Sequence, residues 1–229
     1  SMGFSANFYG TTYSQLYVNN NGNVTFTGPL GTFTPFNLLS TAIPIIAPFF
    51  GDVDTRNLAS GVTQYGTDTI GGHNVFGVNW IDVGYFSSQA NLLNSFQLIM
   101  TDRSDIGSGD FDFEFNHDKI QWETGSASGG TGGLGGNSAR AGWSNGSTTS
   151  FEIAGSAVNG ALLDTNLTTG LIYNSLNSST LGQYVFRVRN GTVQPPPSVP
   201  EPTSLALLSI GLVCLGAIRR RKIQKANGV

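Results

Sequence analysis

Short stretches alternate between apolar and polar side chains along most of the chain, the period-two pattern of half-buried β-strands. Phe111, Phe113 and Phe115 stand against Asp112, Glu114 and Asn116, and Tyr184, Phe186 and Val188 stand against Arg187 and Arg189. Leu16-Tyr17-Val18 and Asn23-Val24-Thr25-Phe26 flank Asn19-Asn20-Asn21-Gly22, a hairpin signal. Ile43 to Phe50 is a short apolar run holding Pro44 and Pro48, so it is expected to be an edge strand or one broken by a bulge. Further strands are expected at Val62–Tyr65, Val75–Val83, Phe96–Thr101, Phe111–Phe115, Ile120–Trp122, Ala139–Trp143, Ser150–Ile153 and Gln183–Val188. Asn116-His117-Asp118-Lys119 reads as a second hairpin turn, and Ala157–Leu176 as a short helix or long loops. The fold class is therefore all-β, an antiparallel β-sandwich in a single domain over residues 1–190.

Composition agrees. Of 229 residues 11% are charged and 31 are Gly, with 15 Phe, 7 Tyr and 3 Trp, a balance suited to strands and turns and unlike a helical bundle or coiled coil. The net charge of −3 hides an asymmetry, since residues 1–200 carry 6 basic against 13 acidic side chains. An acidic body excludes a phosphate-backbone partner, so no nucleic acid is expected. The one cysteine, Cys214, permits neither an intrachain disulfide nor a Cys-based zinc site.

The end of the chain reads differently. Residues 191–198 form a Pro-rich linker containing Pro195-Pro196-Pro197. Val199-Pro200-Glu201-Pro202 follows, then an apolar stretch over 203–218, then a basic stub over 219–225 led by Arg219, Arg220, Arg221 and Lys222. As a helix, the 14 apolar residues Leu205–Ile218 rise about 21 Å, against a hydrocarbon core of roughly 30 Å. Thr203, Ser204 and snorkelling arginines lengthen this to a marginal membrane span, with a buried helix as the alternative. The arginines would stay on the cytoplasmic side and leave the β body across the membrane.

This order of motif, apolar helix and basic stop resembles the PEP-CTERM sorting signal of Gram-negative bacteria, over residues 199–222. The resemblance implies processing near Pro200-Glu201-Pro202 by exosortase, a membrane protease of exopolysaccharide-producing organisms, with the helix only a transient anchor. Ser1-Met2-Gly3 leads directly into strand-like sequence without the charged and apolar regions of a secretion signal. A truncated N-terminus is therefore expected, and secretion to the cell surface is inferred from the tail.

A second resemblance runs through the body, from residue 4 to about 190. Phe8-Tyr9-Gly10, Leu16 to Gly22, Pro44 to Thr55, Trp80 with Val83-Gly84-Tyr85-Phe86, Asn94 to Ile99, Phe111 to Phe115 with Ile120 to Gly125, and Ala141-Gly142-Trp143 are similar to the nidogen-type extracellular (NIDO) domain. The family occurs in basement-membrane nidogens, tectorins and some mucins. The resemblance implies a non-enzymatic role in cell–matrix adhesion, or association with extracellular polysaccharide matrix or biofilm.

Candidate chemistry in the body is sparse. His73 and His117 are the only histidines, both placed in turns where solvated side chains are expected, and no hydrolase elbow or zinc-protease motif occurs. Catalytic residues are therefore expected to be none. Asp52 and Asp54, two apart after the Ile43–Phe50 strand, form a candidate Ca²⁺ site, against which stands pairing with Arg56 or with backbone N–H groups. With calcium, the chain would be a calcium-dependent, lectin-like module. Asp110, Asp112 and Glu114 read as an outer sheet face, and a polysaccharide hydrolase would need two carboxylates facing across a cleft. Among the aromatics Trp80, Trp122, Trp143, Tyr85 and Phe86, Trp122 beside the glycine-rich stretch Gly125–Gly136 is the candidate exposed ligand surface. That stretch itself reads as a flexible loop between two strands.

Overall fold

Alternating Phe, Val and Thr yield strands, and the computed structural model, which describes Ser1–Pro195, contains thirteen. In chain order they are β1 (Ala6–Phe8), β2 (Thr11–Tyr13), β3 (Tyr17–Asn19), β4 (Asn23–Thr25), β5 (Pro44–Phe50), β6 (Thr63–Ile70) and β7 (His73–Tyr85). They continue as β8 (Gln89–Asp102), β9 (Phe111–Lys119), β10 (Arg140–Asn145), β11 (Ser150–Glu152), β12 (Gln183–Arg189) and β13 (Thr192–Val193). The described residues form one compact antiparallel β-sandwich. One sheet has the order β11-β10-β5-β4-β3, the other β13-β12-β9-β8-β7-β6, and β1-β2 is a separate pair. Among the described residues no helix is long and apolar enough to cross a membrane. The expected apolar helix over 203–218, the PEP motif and the basic stub lie outside the described residues.

The core is built from the inward half of each alternation. Phe111, Phe113 and Phe115 on β9 are fully buried beside Tyr184, Phe186 and Val188 on β12. Phe113 stacks on Phe186 with ring centroids 4.8 Å apart, and Trp80 on Phe96 at 5.1 Å. The outward carboxylate Asp112 pairs with Arg103 at 3.0 Å and with Arg189 at 2.7 Å. Asp110, expected on the same face, is instead buried and accepts the Asn190 amide at 2.8 Å.

The Asn19–Gly22 hairpin forms as expected, with Tyr17 opposite Thr25. Gly22 sits at φ +75°, and a Cβ there would come within 1.8 Å of the Phe49 carbonyl oxygen. Strand β5 is not an edge: it lies between β10 and β4. Its register against β10 runs from Gly142 opposite Ala47 to Arg140 opposite Phe50, so β5 carries one extra residue there. Pro48, which has no N–H to give, falls in this bulge.

Two local expectations are corrected and a third is met by its loop alternative. Asn116 to Lys119 do not turn; β9 runs through them, and His117 faces inward at 6% exposure. Its Nε2 lies 2.9 Å from the Pro48 carbonyl oxygen of the opposite sheet, and its Nδ1 3.3 Å from that of Gly182. Ile120–Trp122 is not a strand. The side chain of buried Asn94 holds it instead, accepting from the Gln121 and Trp122 amides and donating to the Trp122 carbonyl. Ala157–Leu176 is loop with a single 3₁₀ turn at Leu171–Tyr173.

Candidate functional site

Three segments converge at one end of the sandwich: the residues after β5, the β7–β8 turn, and the glycine-rich loop between β9 and β10. Main-chain bonds join them. The Phe86 amide donates to the Asp52 carbonyl at 3.1 Å, the Ser126 amide to the Phe86 carbonyl at 2.9 Å, and the Asp54 amide to the Gly84 carbonyl at 3.0 Å.

Asp54 is buried and its carboxylate is fully engaged. Oδ1 accepts from the Arg56 amide and Nε at 3.0 and 2.9 Å, and Oδ2 from Arg56 Nη2 and the Ser88 amide at 2.5 and 2.9 Å. The Arg56 side chain accordingly holds the Asp54 carboxyl down at about 2. Asp52 lies at 3% exposure under the loop, with Ser128 Oγ 3.5 Å from Oδ2. Burial pushes its carboxyl up to about 6, with hydrogen bonds from Ser128 working against the shift and the Asp54 charge adding to it. The loop reaches it because residue 125 is glycine: a Cβ there would lie 2.4 Å from Asp52 Oδ2.

The two carboxylates thus serve different neighbours, and Arg56 occupies the face of Asp54 that a cation would need. Among the described residues no three His, Cys, Asp or Glu side chains gather to hold a metal ion. Pairing with Arg56 and backbone donors, the alternative to calcium, is the arrangement observed for Asp54.

Trp122 is not a ligand surface. It is fully buried, donates from Nε1 to the Val83 carbonyl at 3.0 Å, and packs against Phe49 and Tyr85 with centroids 5.6 Å away. The glycine-rich loop covers it, Gly133 accepting from the amides of Glu123 and Thr124 at 2.8 and 3.0 Å. The loop is therefore packed against the core. Trp80, Trp143 and Tyr85 are buried as well, leaving Phe86 as the one candidate aromatic that reaches solvent.

Phe86 lines an open hollow of about 430 Å³ between the β7–β8 turn and the glycine-rich loop, a volume in the range of small-ligand sites. Ser87, Gln89, Asn91, Ser126 and Thr131 supply its polar lining. Arg56, held by Asp54, lies over the Phe86 ring at 5.3 Å from its centroid. The sequence pointed to Phe86 only as one aromatic among five. Gln89, Asn91 and Thr131 gave no signal, because ordinary polar residues become a site only when two distant loops meet.

The two histidines sit in different surroundings. His73 is half-exposed with Nδ1 3.7 Å from Asp105, while burial lowers His117 to about 4. Glu114 bonds Asn116 and Gln183 on the sheet surface.

Comparison with known proteins fits this architecture. Residues 198–222 match the PEP-CTERM protein-sorting motif. Mouse alpha-tectorin is 30% identical over 82% of this chain and 9% of its own length, and human alpha-tectorin 29% over the same shares. A fruit-fly (Drosophila melanogaster) nidogen is 30% identical over 41% of this chain and 8% of its own. The chain thus spans less than a tenth of the length of these relatives, and no solved structure matches it. The nidogen-like domain matches residues 14–72 and 57–190, from the β2–β3 connection to the end of β12, and the chain belongs to that family.

Proposed function

We propose that the protein is a secreted, non-enzymatic surface or matrix component that associates with extracellular polysaccharide. The observation that carries this reading is the joining, in one chain, of a nidogen-like sandwich to a PEP-CTERM sorting motif. Exosortase would act at Val199-Pro200-Glu201-Pro202, with the apolar segment over 203–218 holding the chain in the membrane until then and Arg219–Lys222 stopping its transfer. The acidic body suits a soluble matrix component and disfavours nucleic acid. Carboxylates tied into ion pairs and hydrogen bonds, as Asp54 and Asp112 are, support a scaffold over a hydrolase.

The test is co-sedimentation of the full chain with purified exopolysaccharide from the producing organism, in calcium and in EDTA. Equal pelleting in both buffers is expected. Loss of pelleting in EDTA would restore the calcium-dependent lectin reading with Asp52 and Asp54 as ligands. No pelleting in either buffer would contradict polysaccharide association.

A further inference from the structure

We infer that the hollow between the β7–β8 turn and the glycine-rich loop binds a segment of neutral polysaccharide. The inference rests on the matrix reading above and names the surface and the ligand class. The lining selects the ligand. Its side chains are the aromatic rings of Phe86 and the largely buried Tyr85, two carboxamides and several hydroxyls, and none is charged. An anionic ligand would find no cation in the lining, and Arg56, which lies over the Phe86 ring, already has its Nε and Nη2 bonded to the Asp54 carboxylate. A metal ion would find no carboxylate, because Asp52 and Asp54 lie behind the walls. A sugar ring matches what remains: apolar C–H faces for Phe86 and hydroxyls that both donate and accept for the amides.

The amides have capacity to offer. Gln89 donates from Nε2 to the Ser87 carbonyl and Asn91 accepts the Tyr85 hydroxyl through Oδ1. Gln89 Oε1 and Asn91 Nδ2 have no protein partner among the described residues. One acceptor and one donor therefore stand beside the half-buried ring. The ring is also fixed in advance. The Phe86 peptide is bonded on both sides, its N–H to Asp52 and its carbonyl to Ser126, and Arg56 packs over the side chain. Such pre-organisation lowers the ordering cost of binding. Asp52, Asp54 and Arg56 act as positioning residues for a surface they do not form.

The experiment is affinity electrophoresis of the full chain in gels containing dextran, laminarin or galactomannan, with alginate as the acidic control. Retardation by at least one neutral polymer and none by alginate is expected. Phe86→Ala should weaken it about tenfold, and Gln89→Ala about fivefold, the loss of one neutral hydrogen bond. Gln89 is exposed, so its variant keeps the test valid even if Phe86→Ala fails to fold. No retardation in any neutral gel, retardation by alginate alone, or variants retarded like the parent would overturn the inference. Variants that bind like the parent while the full chain still co-sediments with exopolysaccharide would refute the hollow and leave the matrix reading intact.

Discussion

Two buried titratable residues set opposing pH dependences. The Asp52 carboxyl is raised from 3.8 to about 6, so the native protein keeps a proton that the unfolded chain releases near pH 4. Its contribution to stability therefore falls as pH rises from about 4 to 6. His117 is lowered from 6.5 to about 4, chiefly by burial, so the unfolded chain takes up a proton that the native protein refuses. That contribution falls as pH drops from 6.5 towards 4. Burial also raises Glu123 and Asp164, which act in the same direction as Asp52. The slopes separate in single variants. Against the parent, Asp52→Asn should make stability climb more steeply with pH between 4 and 6, and His117→Gln should make it climb less. Urea melts at pH 4.5 and 6 measure both, and slopes unchanged by either substitution would refute these assignments.

Among the elements, the Ile120–Trp122 segment shows a side chain doing the work of a strand. Asn94, fully buried on β8, satisfies two amides and one carbonyl of a stretch that lacks a ladder there. Asn94→Ala should cost about 3 kcal/mol, since several buried polar groups lose their partner at once. Chemical denaturation measures this, and a loss below about 1 kcal/mol would mean that the segment is held otherwise. This segment also marks where sequence reading ends. Strands β9 and β12 were legible because one face of each alternates into the core, a period of two that is visible locally, and β3 and β4 because the Asn19–Gly22 turn lies between them. Ile120–Trp122 has the same apolar look, yet it bonds to an asparagine 27 or 28 positions away, which no local pattern records. His117 was misplaced for a related reason: Asn-His-Asp-Lys has turn chemistry, but β12 and Pro48 hold it in the sheet. Asp52 and Asp54 were legible as unusual residues and Arg56 as a partner two positions along from Asp54, while Ser128 and Ser88 reached them only through the fold.

For the whole molecule, the sandwich and the sorting motif have separable roles. The sandwich presents loops at one end, tied together by buried carboxylates and closed over Trp122 by glycine-rich backbone. On the proposed reading the tail, whose residues 198–222 match the PEP-CTERM protein-sorting motif, directs delivery. The central claim is that the protein is exported through its tail and resides in the matrix. Its most direct test is to fractionate the producing organism and read the protein's C-terminus by mass spectrometry. The account predicts a matrix-fraction protein ending at or before Pro202, and its retention in the cell when exosortase is deleted. Full-length protein ending at Val229 in the cytoplasm, unaffected by that deletion, would contradict it.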